Sequence, residues 1–175
     1  MAGTGPGDLH DTCLDLLTAA AQALDTIPVF APGLAGAPER RFVSAGTPVL
    51  DCCDQLTVHM GPIAEDPLSP SSPASGQRAR LDARKNAVTL LLTLGRCMDL
   101  SALPNPPPVD VLELDGEQHN ADGWALWNVL WNQVRSGDLF TLCADSKPEL
   151  RPLAPSGGCS GWVMAYRIWL EGYEE

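Results

Sequence analysis

The chain has 175 residues, 45% of them hydrophobic and 19% charged. This fits one folded domain over residues 1–175 and excludes wholesale disorder or a fibrous repeat. With 11 basic and 22 acidic side chains the formal charge is −11, which argues against a protein whose main task is to capture nucleic acid through its phosphates. Gly and Pro supply 32 residues, about 18% against roughly 12% in an average protein, so long connections are expected between few regular elements.

The first periodic segment covers residues 9–24, where Leu9, Cys13, Leu16, Leu17, Ala20 and Leu24 recur at three- and four-residue steps. That spacing predicts an amphipathic helix, stopped by Pro28. Residues 28–48 read as a connection with a short strand around 41–44. In residues 54–60, Leu56, Val58 and Met60 alternate with Gln55, Thr57 and His59, the pattern of a strand with one buried face and one wet face. The Pro- and Ser-rich stretch 61–76 is expected to project as a long loop, and 61–80 together form a loop and basic arm. Residues 78–94 alternate again and pair with the first long strand as an antiparallel hairpin.

Three prolines at 106–108 force an extended spacer. A helix is expected to begin near Asp115 or Asn120, with Asp115 and Gln118 at capping-box spacing and Gly137 as the stop. Its seam would be Trp124, Trp127, Trp131 and Val134, widened by Leu130. If these indoles pack on a sheet, truncating any of them costs roughly 3–5 kcal/mol. Residues 139–143 suggest a short strand and 148–161 another connection. Residues 162–170 form a strand apolar on both sides, which belongs inside a sheet or at an interface. The fold class that follows is α+β, with an antiparallel or mixed sheet flanked by two helices and long Pro/Gly-rich loops.

Catalytic chemistry is hard to assemble from this sequence. His10, His59 and His119 lie on three separate elements, with His59 expected on the wet face of its strand, and no Ser-His-Asp or Cys-His grouping emerges. The six cysteines, Cys13, Cys52, Cys53, Cys97, Cys143 and Cys159, lack the C-x-x-C pairs of a zinc knuckle and read as buried thiols in a reducing compartment. Asp51 and Asp54 read as turn residues. No phosphate-binding glycine loop follows a strand. No catalytic residue, metal or cofactor is therefore expected.

Nor does any apolar run approach the roughly 20 residues of a membrane span. The first residues lack the pattern of a secretory signal, so assembly in a cytoplasm is expected. One charge feature stands out. Arg78, Arg80, Arg84, Lys85 and Arg96 are 5 of the 11 basic residues. A basic arm on an acidic body suits a head-to-tail ring, and Arg78, Arg80, Arg84 and Lys85 are the candidate subunit-interface residues; the same charges also suit a solvated strand end.

Four stretches carry a family likeness: the early amphipathic helix, Asp51-Cys52-Cys53-Asp54-Gln55-Leu56-Thr57-Val58, Asn120-Ala121-Asp122-Gly123-Trp124-Ala125-Leu126-Trp127, and Gly157-Gly158-Cys159-Ser160-Gly161-Trp162. In these the chain resembles the tail terminator proteins of long-tailed, siphovirus-type phages that infect actinobacteria. The resemblance implies a structural virion protein and no enzyme. It would form a ring, a homo-hexamer, at the head-proximal end of the tail, where it ends tube polymerisation and joins the tail to the neck. Its partners would be itself, the tail tube protein and a head-completion protein, with DNA passing through the lumen without specific binding. The alternatives are a head-to-tail stopper or adaptor, a tail assembly chaperone, or a small cysteine-dependent enzyme using Cys97 or Cys159.

Overall fold

The computed structural model describes residues 6–30, 36–46, 54–66, 85–97, 108–136, 148–156 and 159–170. These contain, in chain order, helix α1 (Pro6–Asp25), strands β1 (Arg40–Ser44), β2 (Gln55–Asp66) and β3 (Lys85–Cys97), helix α2 (Val109–Ser136), and strands β4 (Glu149–Ser156) and β5 (Cys159–Leu170). The fold is α+β. The five strands form one mixed sheet in the order β1-β2-β3-β5-β4, in which only the β1–β2 pair is parallel.

Register explains the core. Leu56, Val58 and Met60 of β2 face Leu94, Leu92 and Leu90 of β3, and these face Trp162, Met164 and Tyr166 of β5. Alternation along each strand sends all nine side chains to one side of the sheet. Against that side α1 lays Cys13, Leu16, Leu17, Ala20, Ala21 and Leu24, and α2 adds Leu126. The three-and-four spacing of the first helix is thus realised as a buried stripe. Its last turn is closed by Thr26 and Ile27, whose N–H groups donate to Ala23 O and Leu24 O at 3.2 Å, while Thr26 Oγ1 donates to Ala23 O at 2.7 Å. These bonds satisfy carbonyls that would otherwise be orphaned at the helix end.

Four expectations change. The opposite face of β2 is not wet: Gln55, Thr57 and His59 are all buried, His59 with 5% of its surface exposed. β2 also runs through Gly61 and Pro62 to Asp66, its pairing with β3 shifting register between Met60 and Ile63; an added residue lets a strand pass a proline without breaking the ladder. α2 begins at Val109, directly after the prolines, so Asp115 and Gln118 lie inside it and do not cap it. Residues 149–156 form β4, an edge strand on β5, where Pro152 is tolerated because an edge strand carries unpaired positions. The expected strand at 139–143 lies outside the described residues.

Candidate interaction site

The end of β3 is a junction built on a charge. Arg96 is 2% exposed and Asp122 is fully buried. Arg96 Nε donates to Asp122 Oδ2 at 2.9 Å and Arg96 Nη2 to Asp122 Oδ1 at 3.1 Å, the two-pronged geometry that suits a guanidinium and a carboxylate. Arg96 Nη2 also donates to the Gly36 carbonyl at 2.6 Å, and Arg96 Nη1 lies 3.7 Å from Asp54 Oδ2. Asp54 Oδ1 accepts from the Cys97 N–H at 3.0 Å. Gln118 Nε2 adds a third donor to Asp122 at 3.2 Å, and Gln118 Oε1 accepts from Phe30 N at 3.1 Å.

One buried cation therefore ties β3 to α2, to the entrance of β2 and to the chain ahead of β1. Gly36 makes this possible with φ at +75°, a backbone region that glycine enters without strain. Arg96 belongs to this junction and not to a basic arm, because a guanidinium enclosed by two carboxylates and a carbonyl has no free charge to present to a partner.

Beside the junction, α2 and β5 meet through glycine. A Cβ on Gly123 would lie 2.5 Å from Trp162 Cε2 and 2.6 Å from Cζ2, so only a residue without one lets the indole lie flat on the helix. Trp162 Nε1 donates to the His119 carbonyl at 2.8 Å, and its ring stacks on the His119 imidazole with centroids 4.7 Å apart. Next to this contact lies a groove of about 710 Å³ lined by Asn120, Ala121, Gly123, Trp124, Trp127, Leu150 and Trp162. Trp124 is 66% exposed, and Trp127 stacks on Trp131 at 5.4 Å.

The indole seam is thus corrected at Trp124. The side of α2 that packs inward carries Gln118, Asp122 and Leu126; Trp124 is exposed at the groove, while Trp127 lines the groove and also packs, half-buried, against the core. Hydrophobic spacing set Trp124 inward because it gives no sign that the inward face is held by a buried ion pair.

Burial lowers the pKa of the His59 and His119 imidazoles, for His119 against the opposing pull of Asp115 and Asp122. It raises that of Asp115. Cys13 is buried in the core and its thiol is pushed up to about 11, so it fits the expected small hydrophobe. Cys159 does not: it is disulfide-bonded. Cys97 stands opposite it in the β3–β5 register, with the two sulfurs 2.9 Å apart. Cys52, Cys53 and Cys143 lie outside the described residues.

Among the candidate interface residues, Arg78, Arg80 and Arg84 lie outside the described residues, and Lys85 is placed by its backbone as the first residue of β3. The groove was missed from sequence, although the five-residue run Gly123-Trp124-Ala125-Leu126-Trp127 carried a signal: two indoles three apart beside a helix-interior glycine. No helix among the described residues is long and apolar enough to cross a membrane. The chain matches no family model and no curated protein sequence.

Proposed function

We propose that the chain is a structural protein of a phage tail, a terminator that forms a ring at the head-proximal end of the tube, stops its growth and joins it to the neck. The observation that carries this reading is where the likeness-bearing stretches meet. Asp54 from the second, Asp122 and Gly123 from the third, and Gly161 and Trp162 from the fourth surround the end of β3. The carboxylates of Asp54 and Asp122 are spent on Arg96, the Cys97 N–H and Gln118, and the Trp162 indole N–H on the His119 carbonyl, in bonds that hold strands to a helix, which is the economy of a scaffold and not of a catalyst.

Two further features weigh against the rivals. Among the described residues the sheet runs open from β1 to β4, unlike the closed barrel of a stopper. Cys159, held in a disulfide, has no thiolate to offer as a nucleophile. The test is made on particles. Mass spectrometry of purified virions should find the chain at about six copies, as a closed cyclic ring of that order requires. Deleting its gene should give tails of uncontrolled length under the electron microscope. Absence from intact virions, or tails of normal length after deletion, overturns the reading.

A further inference from the structure

We infer that the indole groove between α2 and β5 is the docking site for residues 67–84 of a second copy of this chain. The inference rests on the ring proposed above and names the surfaces that close it.

The groove is a recess with a charged extension. Asn120, Trp124 and Trp127 follow one another at helical steps along α2, and the same stripe continues one and two turns toward the N-terminus through Glu117 and Glu113. Both glutamates are exposed. The surface therefore reads carboxylate, carboxylate, amide, indole, indole, with the exposed face of Trp124 beside the recess. It suits a segment that brings cations to one end and flat, rigid apolar rings to the other. Arginine pairs with carboxylates and lies over indole faces, and proline stacks on indoles at little entropic cost.

Residues 67–84 have that composition. They read Pro-Leu-Ser-Pro-Ser-Ser-Pro-Ala-Ser-Gly-Gln-Arg-Ala-Arg-Leu-Asp-Ala-Arg, with prolines in the first half and Arg78, Arg80 and Arg84 against Asp82 in the second. On a chain of formal charge −11 this is an exceptional concentration of cations.

Reach decides that the segment comes from another copy. Its ends are fixed where β2 stops at Asp66 and β3 starts at Lys85, opposite each other. The groove runs from Leu150, opposite Met164 and so in line with Leu92, to Trp162, opposite Leu94, seven to nine residues further along β3, which is about 23–30 Å at roughly 3.3 Å per residue. An 18-residue segment tethered at both ends extends at most about nine residues outward, again about 30 Å when fully stretched. Within its own chain only the residues at its tip would enter the groove when drawn taut, and Arg80 and Arg84, at most five residues or about 17 Å from the start of β3, would stop short of it. A neighbour placed head to tail has no such restriction, and the contact repeats around a ring because donor and acceptor surfaces differ.

The experiment uses a fluorescein-labelled synthetic peptide of residues 67–84 and the full chain, with binding read by fluorescence anisotropy at low salt. Saturable binding is expected. It should weaken at least tenfold for Trp124→Ala and for Glu113→Lys/Glu117→Lys, both exposed positions where circular dichroism should show an unchanged fold. A peptide with Arg78, Arg80 and Arg84 changed to Glu should lose binding to the natural chain and regain it on the Glu113→Lys/Glu117→Lys variant. No binding, or equal binding to Trp124→Ala, overturns the inference. A peptide with the arginines changed to serine that binds as tightly as the natural one also overturns it, since the groove would then accept proline-rich chains of any source. A protein found in virions that fails this titration loses the docking contact and keeps the terminator role; one that passes but is missing from virions loses the role and keeps the contact.

Discussion

A methyl group at position 123 or 161 has nowhere to go, but for different reasons. At Gly123 the obstacle is the Trp162 indole, a side chain anchored by its bond to the His119 carbonyl. At Gly161 it is the carbonyl oxygen of Leu94, part of the β3 backbone. An indole can tilt by a few tenths of an ångström, whereas a paired strand cannot move without breaking its ladder. Gly123→Ala should therefore cost about 1–3 kcal/mol, the usual range for overpacking, and Gly161→Ala more, as read from urea midpoints. Equal midpoints for the two variants would show that the sheet yields as readily as the ring.

The Arg96–Asp122 pair poses the complementary question. Removing one partner of a buried ion pair strands the other charge and costs roughly 3–5 kcal/mol, while an apolar pair of similar volume can be nearly neutral. Asp122→Leu should thus be severely destabilising and Arg96→Met/Asp122→Leu much less so. A double-mutant cycle in urea measures the difference.

On the scale of elements, the two helices differ in how their sequences announce themselves. α1 was legible because its buried stripe is made of leucines and alanines at helical spacing, and α2 as a helix was equally plain. Its orientation was not. The inward stripe of Gln118, Asp122 and Leu126 looks like a solvent face until Arg96, 26 residues earlier in the chain, is brought opposite it. The strand at Glu149–Ser156 was hidden for a related reason: two prolines in eight residues argue against a central strand, but not against an edge, where they protect an open ladder from further pairing. The hidden second face of β2 is the same lesson, since alternation specifies which residues share a side and says nothing of what covers it.

These orientations make a sharp prediction. Leu126→Ala should cost about 2–5 kcal/mol as a core truncation, whereas Trp124→Ala, at a side chain 66% exposed, should change stability by no more than about 0.5 kcal/mol. Urea unfolding of the two variants checks it. A large loss at Trp124 would return the indole to the core.

For the whole molecule, the buried titratable groups bound the pH range in which the fold is strongest. His59 and His119 both have a folded pKa below the ordinary imidazole value of 6.5 because burial disfavours the cation. As pH falls below 6.5 the unfolded chain takes up protons that the folded chain refuses, so stability declines through that window toward the lowered values. Cys13 acts at the other end. Its thiol is raised from 9.0 to about 11, so between those values the unfolded chain loses a proton that the folded chain keeps, and stability declines as pH rises. Tyr166, whose hydroxyl is raised from 10.0 by the same cause, extends that decline. Thermal midpoints measured from pH 5 to 11 should therefore trace a plateau between about 6.5 and 9 with a falling limb on each side. The limbs have separate owners: His59→Asn/His119→Asn should flatten the acid limb and leave the alkaline one, and Cys13→Ala should delay the onset of the alkaline limb toward pH 10. Asp115 and Asp122 face His119 and favour its cation, so Asp115→Asn should steepen the acid limb while the histidines are present and have no such effect in the double histidine variant. A plateau that continued unchanged down to pH 5 would mean that both imidazoles reach water in the folded chain, and the covered face of β2 and the stacked contact at Trp162 would have to be redrawn.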